Sequence, residues 1–289
     1  VSPRLDVFGK ECNAIGDLMF SNQKIRSMDP DRKAEVLLPY EEGPRAIAFK
    51  KKERRGVDAD GKPVSKNKVF QMRDALAEPI LKKFYEDPTL VLFGEDVRDW
   101  GGSYAVTRGF TEALPYHRFF NTAIAEAGIV GAAIGYAMSG GRAVAEIMYC
   151  DFLGRAGDEL FNQLSKWQSM SAGELKMPVI VRMSVGSKYG AQHSQDWSAL
   201  CAHIPGLKVV FPATPYDAKG MMQSALNGTD PVIFLESQRI YDIGELFRPE
   251  GVPEEEYEIP LGEPDVKRVG RDVTILSIGA TLYRAMDAA

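Results

Sequence analysis

The chain has 289 residues, 45% of them hydrophobic, with 35 Lys and Arg against 40 Asp and Glu for a formal net charge of −5. That length accommodates about two domains, and the acidic balance gives no electrostatic reason to expect nucleic acid or an anionic membrane as partner. No window reaches the ~18 continuous apolar residues of a membrane span. Cys12, Cys150 and Cys201 are few, far apart and without metal-ligand spacing, which points to a reduced intracellular setting.

In chain order, residues 1–66 read as irregular and end in KKERRGVDADGKPVSKNK (51–68), whose charge, Gly and Pro suggest a flexible linker. No secretory signal precedes it, and the chain starts at Val1 rather than methionine, so a processed or excised piece is expected. VFQMRDALAEPILKKFYED (69–87) places Val69, Met72, Leu76, Ile80 and Phe84 at helical spacing, with Pro79 expected to kink or divide the helix. Six apolar runs follow, LVLF, RFFN, AVAEIMY, PVIVRMS, LKVVF and PVIFLE, with helical patterns near 125–139, 156–171 and 215–226. Continuous apolar strands joined by helices predict an α/β fold, a parallel sheet covered on both faces. Residues 67–246 would form this domain and 247–272, rich in Pro and Glu, a connector. RDVTILSIGATLYRAMDAA (271–289) reads as one strand and one helix, so 273–289 would begin a second α/β domain.

Three segments carry the chemistry. In NTAIAEAGIVGAAIGYAMSGG (121–141), Glu126 opens a helix of small residues, where the macrodipole favours negative charge. Gly128, Gly131 and Gly135 share a face and cost roughly 1 kcal/mol each relative to alanine. A soluble protein accepts that cost where another backbone or a ligand must approach closely. The plain alternative is a packed core helix with a solvated first-turn acid. EIMYCDF (146–152) then supplies Tyr149 and Phe152, and the polar segment SKYGAQHSQD (187–196) supplies His193. An imidazole there suits proton exchange near neutrality better than a core role. By contrast, His117 and His203 read as structural, without metal ligands nearby.

These segments, together with LVLFGEDV (90–97), GGSYAVTRGF (101–110), MPVIVRMSVG (177–186), PGLKVVFPATPYDAKG (205–220), DPVIFLE (230–236) and EIPLG (258–262), occur in one order over roughly residues 67–280. In that order they resemble the beta subunit of the decarboxylating component of 2-oxo acid dehydrogenase complexes. This is the family of the pyruvate, branched-chain 2-oxo acid and acetoin enzymes, within the transketolase-like thiamine diphosphate superfamily. The resemblance implies the pyrimidine-binding type of thiamine diphosphate fold, the last residues beginning a transketolase C-terminal-like domain. It implies oxidative decarboxylation of a 2-oxo acid with acyl transfer to the lipoyl group of an acyltransferase. Glu126 would hydrogen-bond the aminopyrimidine and favour its imino tautomer, Phe152 would pack on that ring with Tyr149 second, and His193 would handle protons beside the thiazolium. Burial of Glu126 among Gly and Ala would raise its pKa. One departure is Ala123, where the family usually has proline.

The family holds Mg2+ on an alpha-type subunit through a Gly-Asp-Gly motif, which this sequence lacks; IGDLM (15–19) is the nearest string. The resemblance thus implies an alpha-type partner, or a fused alpha half whose tail is residues 1–66. It also implies a second copy packed through Gly131 and Gly135, a lipoyl-bearing acyltransferase partner, and in some relatives K+ on backbone carbonyls around PATPYDAKG and NGTDP. The setting would be cytoplasmic, or the mitochondrial matrix in a eukaryote. Two other readings stay open: aldehyde-accepting carbanion transfer, as in transketolase or deoxyxylulose-phosphate synthase, and a non-catalytic assembly subunit.

Overall fold

The computed structural model describes residues 32–186 and 190–289, together with two short paired strands at Arg4–Leu5 and Glu11–Cys12. IGDLM and residues 187–189 of the histidine segment lie outside the described residues.

Each of the six apolar runs is a strand. They are β1 (Leu90–Gly94), β2 (Phe119–Asn121), β3 (Arg142–Tyr149), β4 (Val179–Val185), β5 (Lys208–Val210) and β6 (Val232–Ser237). They form one parallel sheet in the order β2-β1-β3-β4-β6-β5. Alternate residues divide between two cores, as the period-2 geometry of a strand requires. Leu90, Leu92, Val144, Ile180, Val232 and Phe234 face a core built with the helices Met72–Glu86 and Pro215–Asn227. Val91, Phe93, Ala145, Val181, Ile233 and Leu235 face a core built with the helix Glu126–Met138 and the helical stretch that follows β3. Covering on both faces explains why the strands carry apolar residues without alternation.

Two expectations need correction near the start of the domain. The helix Met72–Glu86 runs unbroken across Pro79. A proline costs roughly 3 kcal/mol inside a helix; here it is buried with Ala75, Leu76, Ile80 and Phe84 in the core, and that packing outweighs the missing amide. The helix start is also secured, by a capping box in which Gln71 and Asp74 bond each other's backbone. The charged stretch 51–68 is not a free linker, because its ends are docked. Lys52 pairs with Asp74 at 2.5 Å, Arg54 binds both oxygens of Glu78 at 2.8 and 3.0 Å, and Glu53 exchanges main-chain bonds with Lys68 and Phe70.

Residues 247–272 form no regular element but lie along the helix Pro215–Asn227, where Tyr257 Oη donates to Tyr216 O at 2.8 Å and Ser224 Oγ to Ile259 O at 2.6 Å. The helix Thr281–Ala288 is present, but the strand expected before it is not. A strand persists only when a neighbour satisfies its amides and carbonyls. Here Val273 and Leu276 stand 77% and 88% exposed, with no ladder beside them.

Candidate active site

The chemistry-bearing residues all follow the C-terminal ends of sheet strands, where open parallel sheets leave a crevice for ligands. Glu95 follows β1, Glu126 follows β2, Cys150–Phe152 follow β3, His193 follows β4 and Gln238 follows β6.

Glu126 is the first residue of its helix and is buried, while Ala125 before it takes an extended φ of −158°. Close enough for its charge to be felt is a second carboxyl, on Glu95, which no sequence pattern marked out. Glu95 is buried, its Oε1 has no hydrogen-bond partner among the described residues, and its pKa is raised by burial first, then by the charges of Glu126 and Asp96. Two carboxyl groups therefore share one corner of the site, and the charge of Glu126 adds to what makes Glu95 harder to ionise.

The other three predicted residues meet as a ring cluster. His193 stacks on Tyr149 with ring centroids 4.1 Å apart at 23°, and Phe152 meets His193 edge-on at 5.7 Å and Tyr149 at 5.6 Å. His193 Nδ1 is buried and has no hydrogen-bond partner among the described residues. Tyr149 reaches this position through a register shift: Ile147 pairs with Met183 but Tyr149 with Ser184, so Met148 is an extra residue in β3. Such a bulge re-aims the side chain that follows. Ser184 Oγ donates to Met148 O at 2.6 Å, at the point where the ladder is interrupted. Without the bulge Tyr149 would continue the face of Ala145 and Ile147; instead it meets Tyr104 at 5.9 Å. The helix begun by Glu126 packs against the turn Cys150–Ala156, which brings the carboxylate element and the ring cluster into one region.

Beneath the site lies a buried ionic cluster. Arg182, on β4, donates to both oxygens of Glu236 at 2.8 and 2.7 Å and also to Glu146 on β3, while Tyr241 Oη donates to Glu236 at 2.7 Å. One guanidinium thus serves two carboxylates. The Glu146 carboxyl is pushed up to about 7, chiefly by burial, with Glu236 and Glu95 adding to the rise and Arg182 opposing it. Gly102, at φ +74°, lets the loop after β1 close over this cluster, since a Cβ there would sit 3.0 Å from Glu146 Oε1. The signal was present in sequence: AVAEIMY, PVIVRMS and PVIFLE each carry one charge in an otherwise apolar strand.

The glycines of the helix divide differently from expectation. Gly131 turns towards Glu159, 3.8 Å from where its Cβ would stand, whereas Gly128, Ala132 and Gly135 form the exposed stripe. His117 pairs with Glu35 at 2.7 Å on the surface and His203 ends a short helix, so neither enters the site. Cys150 and Cys201 are free and buried, their thiols pushed up by burial to about 12 and 11 and hence unreactive. Among the described residues no group of His, Cys, Asp or Glu is arranged to hold a metal ion, and no helix is long and apolar enough to cross a membrane.

Residues 68–243 match the family model described as transketolase, pyrimidine binding domain. The chain is 42% identical over 228 residues to the acetoin:2,6-dichlorophenolindophenol oxidoreductase subunit beta of Cupriavidus necator, covering 74% of this chain and 65% of that protein. It is 38% identical over 220 residues to the pyruvate dehydrogenase E1 component subunit beta of Bacillus subtilis, covering 75% and 66%. A solved split gene transketolase, an inactive beta4 tetramer, matches with a TM-score of 0.60 at 25% identity, over 76% of this chain and 65% of that one. The chain spans about two thirds of the length of these curated relatives. Fold and sequence similarity agree: the chain belongs to the transketolase pyrimidine-binding domain family, with beta subunits of pyruvate and acetoin dehydrogenating enzymes among its relatives.

Proposed function

We propose that this chain supplies the pyrimidine-activating half of a thiamine diphosphate-dependent 2-oxo acid dehydrogenase, which passes its acyl product to the lipoyl group of an acyltransferase. The observation that carries this reading is a pair of buried polar atoms at the strand ends, Glu95 Oε1 and His193 Nδ1, which have no partner among the described residues and lie beside Glu126 and the Phe152 and Tyr149 rings. That donor set fits an aminopyrimidine, a flat ring with polar edges. When bound, thiamine diphosphate supplies the electron sink that decarboxylation needs. Glu126 would hold a proton at a ring nitrogen, with Glu95 as a second carboxyl in the same corner. Phe152 would pack on the ring, with Tyr149 as its support, and His193 would exchange protons during decarboxylation or acyl transfer.

Magnesium and the diphosphate belong, in this reading, to an alpha-type subunit or fused alpha half, and a K+ ion would sit on carbonyls near 212–220 and 227–231. A cytoplasmic setting, or the mitochondrial matrix in a eukaryote, goes with it. A second copy of the chain is supported by the stripe itself. Among the described residues nothing requires glycine at position 135, where a Cβ would meet no atom within 4 Å, and at 128 only Ala125 Cβ comes near, at 3.6 Å. A demand for small residues at this exposed stripe would then be met by a second copy packed against it. Beside the stripe runs a groove of about 420 Å³ lined by Val91, Phe93, Phe120, Ile129 and Tyr136.

The test is turnover of the full-length protein with its alpha-type half. Pyruvate, branched-chain 2-oxo acids, 2-oxoglutarate and acetoin would be offered with thiamine diphosphate, Mg2+ and an artificial electron acceptor. Cofactor-dependent turnover of one substrate supports the reading and names that substrate. Turnover only when an aldehyde acceptor is supplied would transfer the assignment to carbanion transfer, and none at all with cofactor bound would leave an assembly role.

A further inference from the structure

The histidine segment is tied to the sheet in an unusual way. Among the described residues, no main-chain hydrogen bond joins residues 190–197 to the strands; the bonds present are local, such as His193 N to Gly190 O at 3.3 Å. The contacts to the body come instead from the turn after β3. One oxygen of Asp151 accepts from the amides of Ser194 at 3.1 Å and Gln195 at 3.2 Å, directly after the 3-10 turn Ala191–His193. Cys150 Sγ accepts from Trp197 N at 3.4 Å, and the Trp197 ring lies against Gly154, where a Cβ would stand only 3.2 Å away.

Two amides on one carboxylate oxygen define both the position and the direction of the backbone leaving the turn. Hydrogen bonds to a charged acceptor are about twice as strong as neutral ones, so Asp151 is the strongest of these ties. Its neighbours in sequence, Tyr149 and Phe152, are the rings that hold the His193 imidazole. The residue that fixes the loop and the residues that receive the side chain therefore lie within one four-residue stretch. A shift of the turn carries the imidazole with it rather than away from its partners.

We propose that Asp151 is the positioning residue for His193, its carboxylate holding Ser194 and Gln195 so that the imidazole stays stacked on Tyr149 beside Phe152. The consequence for turnover rests on the reading of His193 given above; the geometric claim does not. Because the work is done by an acceptor oxygen, an amide in its place should serve and a methyl should not.

The experiment compares Asp151→Ala and Asp151→Asn in the full-length protein. Hydrogen exchange by mass spectrometry would follow residues 190–197, and carbethoxylation by diethyl pyrocarbonate would follow His193, with the exposed His117 as internal reference. The alanine variant should raise both rates at least tenfold and the asparagine variant by a clearly smaller factor, since it keeps an acceptor oxygen but loses the charge. If the alanine chain does not fold, Asp151→Ser replaces it, since a hydroxyl is too short to reach both amides. Unchanged His193 reactivity in the truncated variant overturns the proposal. In turnover, Asp151→Ala should add less than twofold to the loss in His193→Ala, and losses that multiply would show that Asp151 acts elsewhere. Wild-type turnover in His193→Ala would reject the functional reading alone, because carbethoxylation still decides the positioning.

Discussion

The His193 imidazole lies against the Tyr149 phenol at 4.1 Å and 23°, although the two stand 44 positions apart in sequence, and among the described residues its Nδ1 is buried without a partner. An unsatisfied buried nitrogen costs about 1–3 kcal/mol, a cost that a bound molecule offering a polar atom would remove. His193→Ala should therefore leave the fold stable and act on chemistry. Acylation of lipoyl should fall further than decarboxylation followed by an artificial acceptor, and equal losses would remove the acyl-transfer role.

Glu126→Gln should fold normally, since glutamine keeps the side-chain volume at the helix start. Turnover should drop about 10²–10⁴-fold, the usual contribution of a positioned proton-transfer group. Steady-state rates beside a thermal melt check this, and near wild-type turnover with an unchanged melt would reject the assignment.

Phe152→Ala separates binding from chemistry. Aromatic contacts contribute about 0.5–1.5 kcal/mol beyond burial, so thiamine diphosphate affinity should weaken roughly tenfold while turnover at saturating cofactor persists. A titration of cofactor against activity reads the two apart. Tyr149→Ala should act differently: its ring is buried among Tyr104, Phe152 and His193, so the larger effect should be about 3–5 kcal/mol of stability.

The buried cluster makes stability depend on pH in a defined direction. Glu146 titrates near 7 in the fold against an ordinary 4.5. Between those values the folded state holds a proton that the unfolded state has released, so stability falls as pH rises through this window and levels off above it. The Glu146→Gln variant should flatten that decline, as measured by melting temperature from pH 5 to 8. An equally steep decline in the variant would place the titration elsewhere. Arg182→Met should be more damaging at every pH, by about 3–5 kcal/mol, because it leaves Glu236 buried without its cation.

Gly135→Leu tests the exposed stripe. Open space surrounds position 135, so the variant should fold, and the exchange should add up to about 1 kcal/mol of helix propensity. Light scattering on the protein with its alpha-type partner should nonetheless show loss of the two-fold pair of these chains. An unchanged mass would exclude this helix face from the interface.

Much of this protein was legible in the residues themselves. Strand identity, the parallel two-sided sheet and the position of Glu126 at a helix start all follow from local patterns, because periodicity and apolar runs report how each element is buried. The failures are also local in origin. Pro79 and the stretch 51–68 read as breaks because propensity carries no knowledge of the core and ion pairs that hold them, and the first part of 271–289 reads as a strand because a sequence does not show whether a neighbour exists to pair with it. Only the tertiary structure decided which residues meet. Glu95 near Glu126, the extra residue at Met148 that turns Tyr149 to His193, the sharing of Arg182 by Glu146 and Glu236, and the Asp151 tether all depend on strand order and register. Those quantities are set by the simultaneous packing of segments tens of residues apart, and no single segment encodes them.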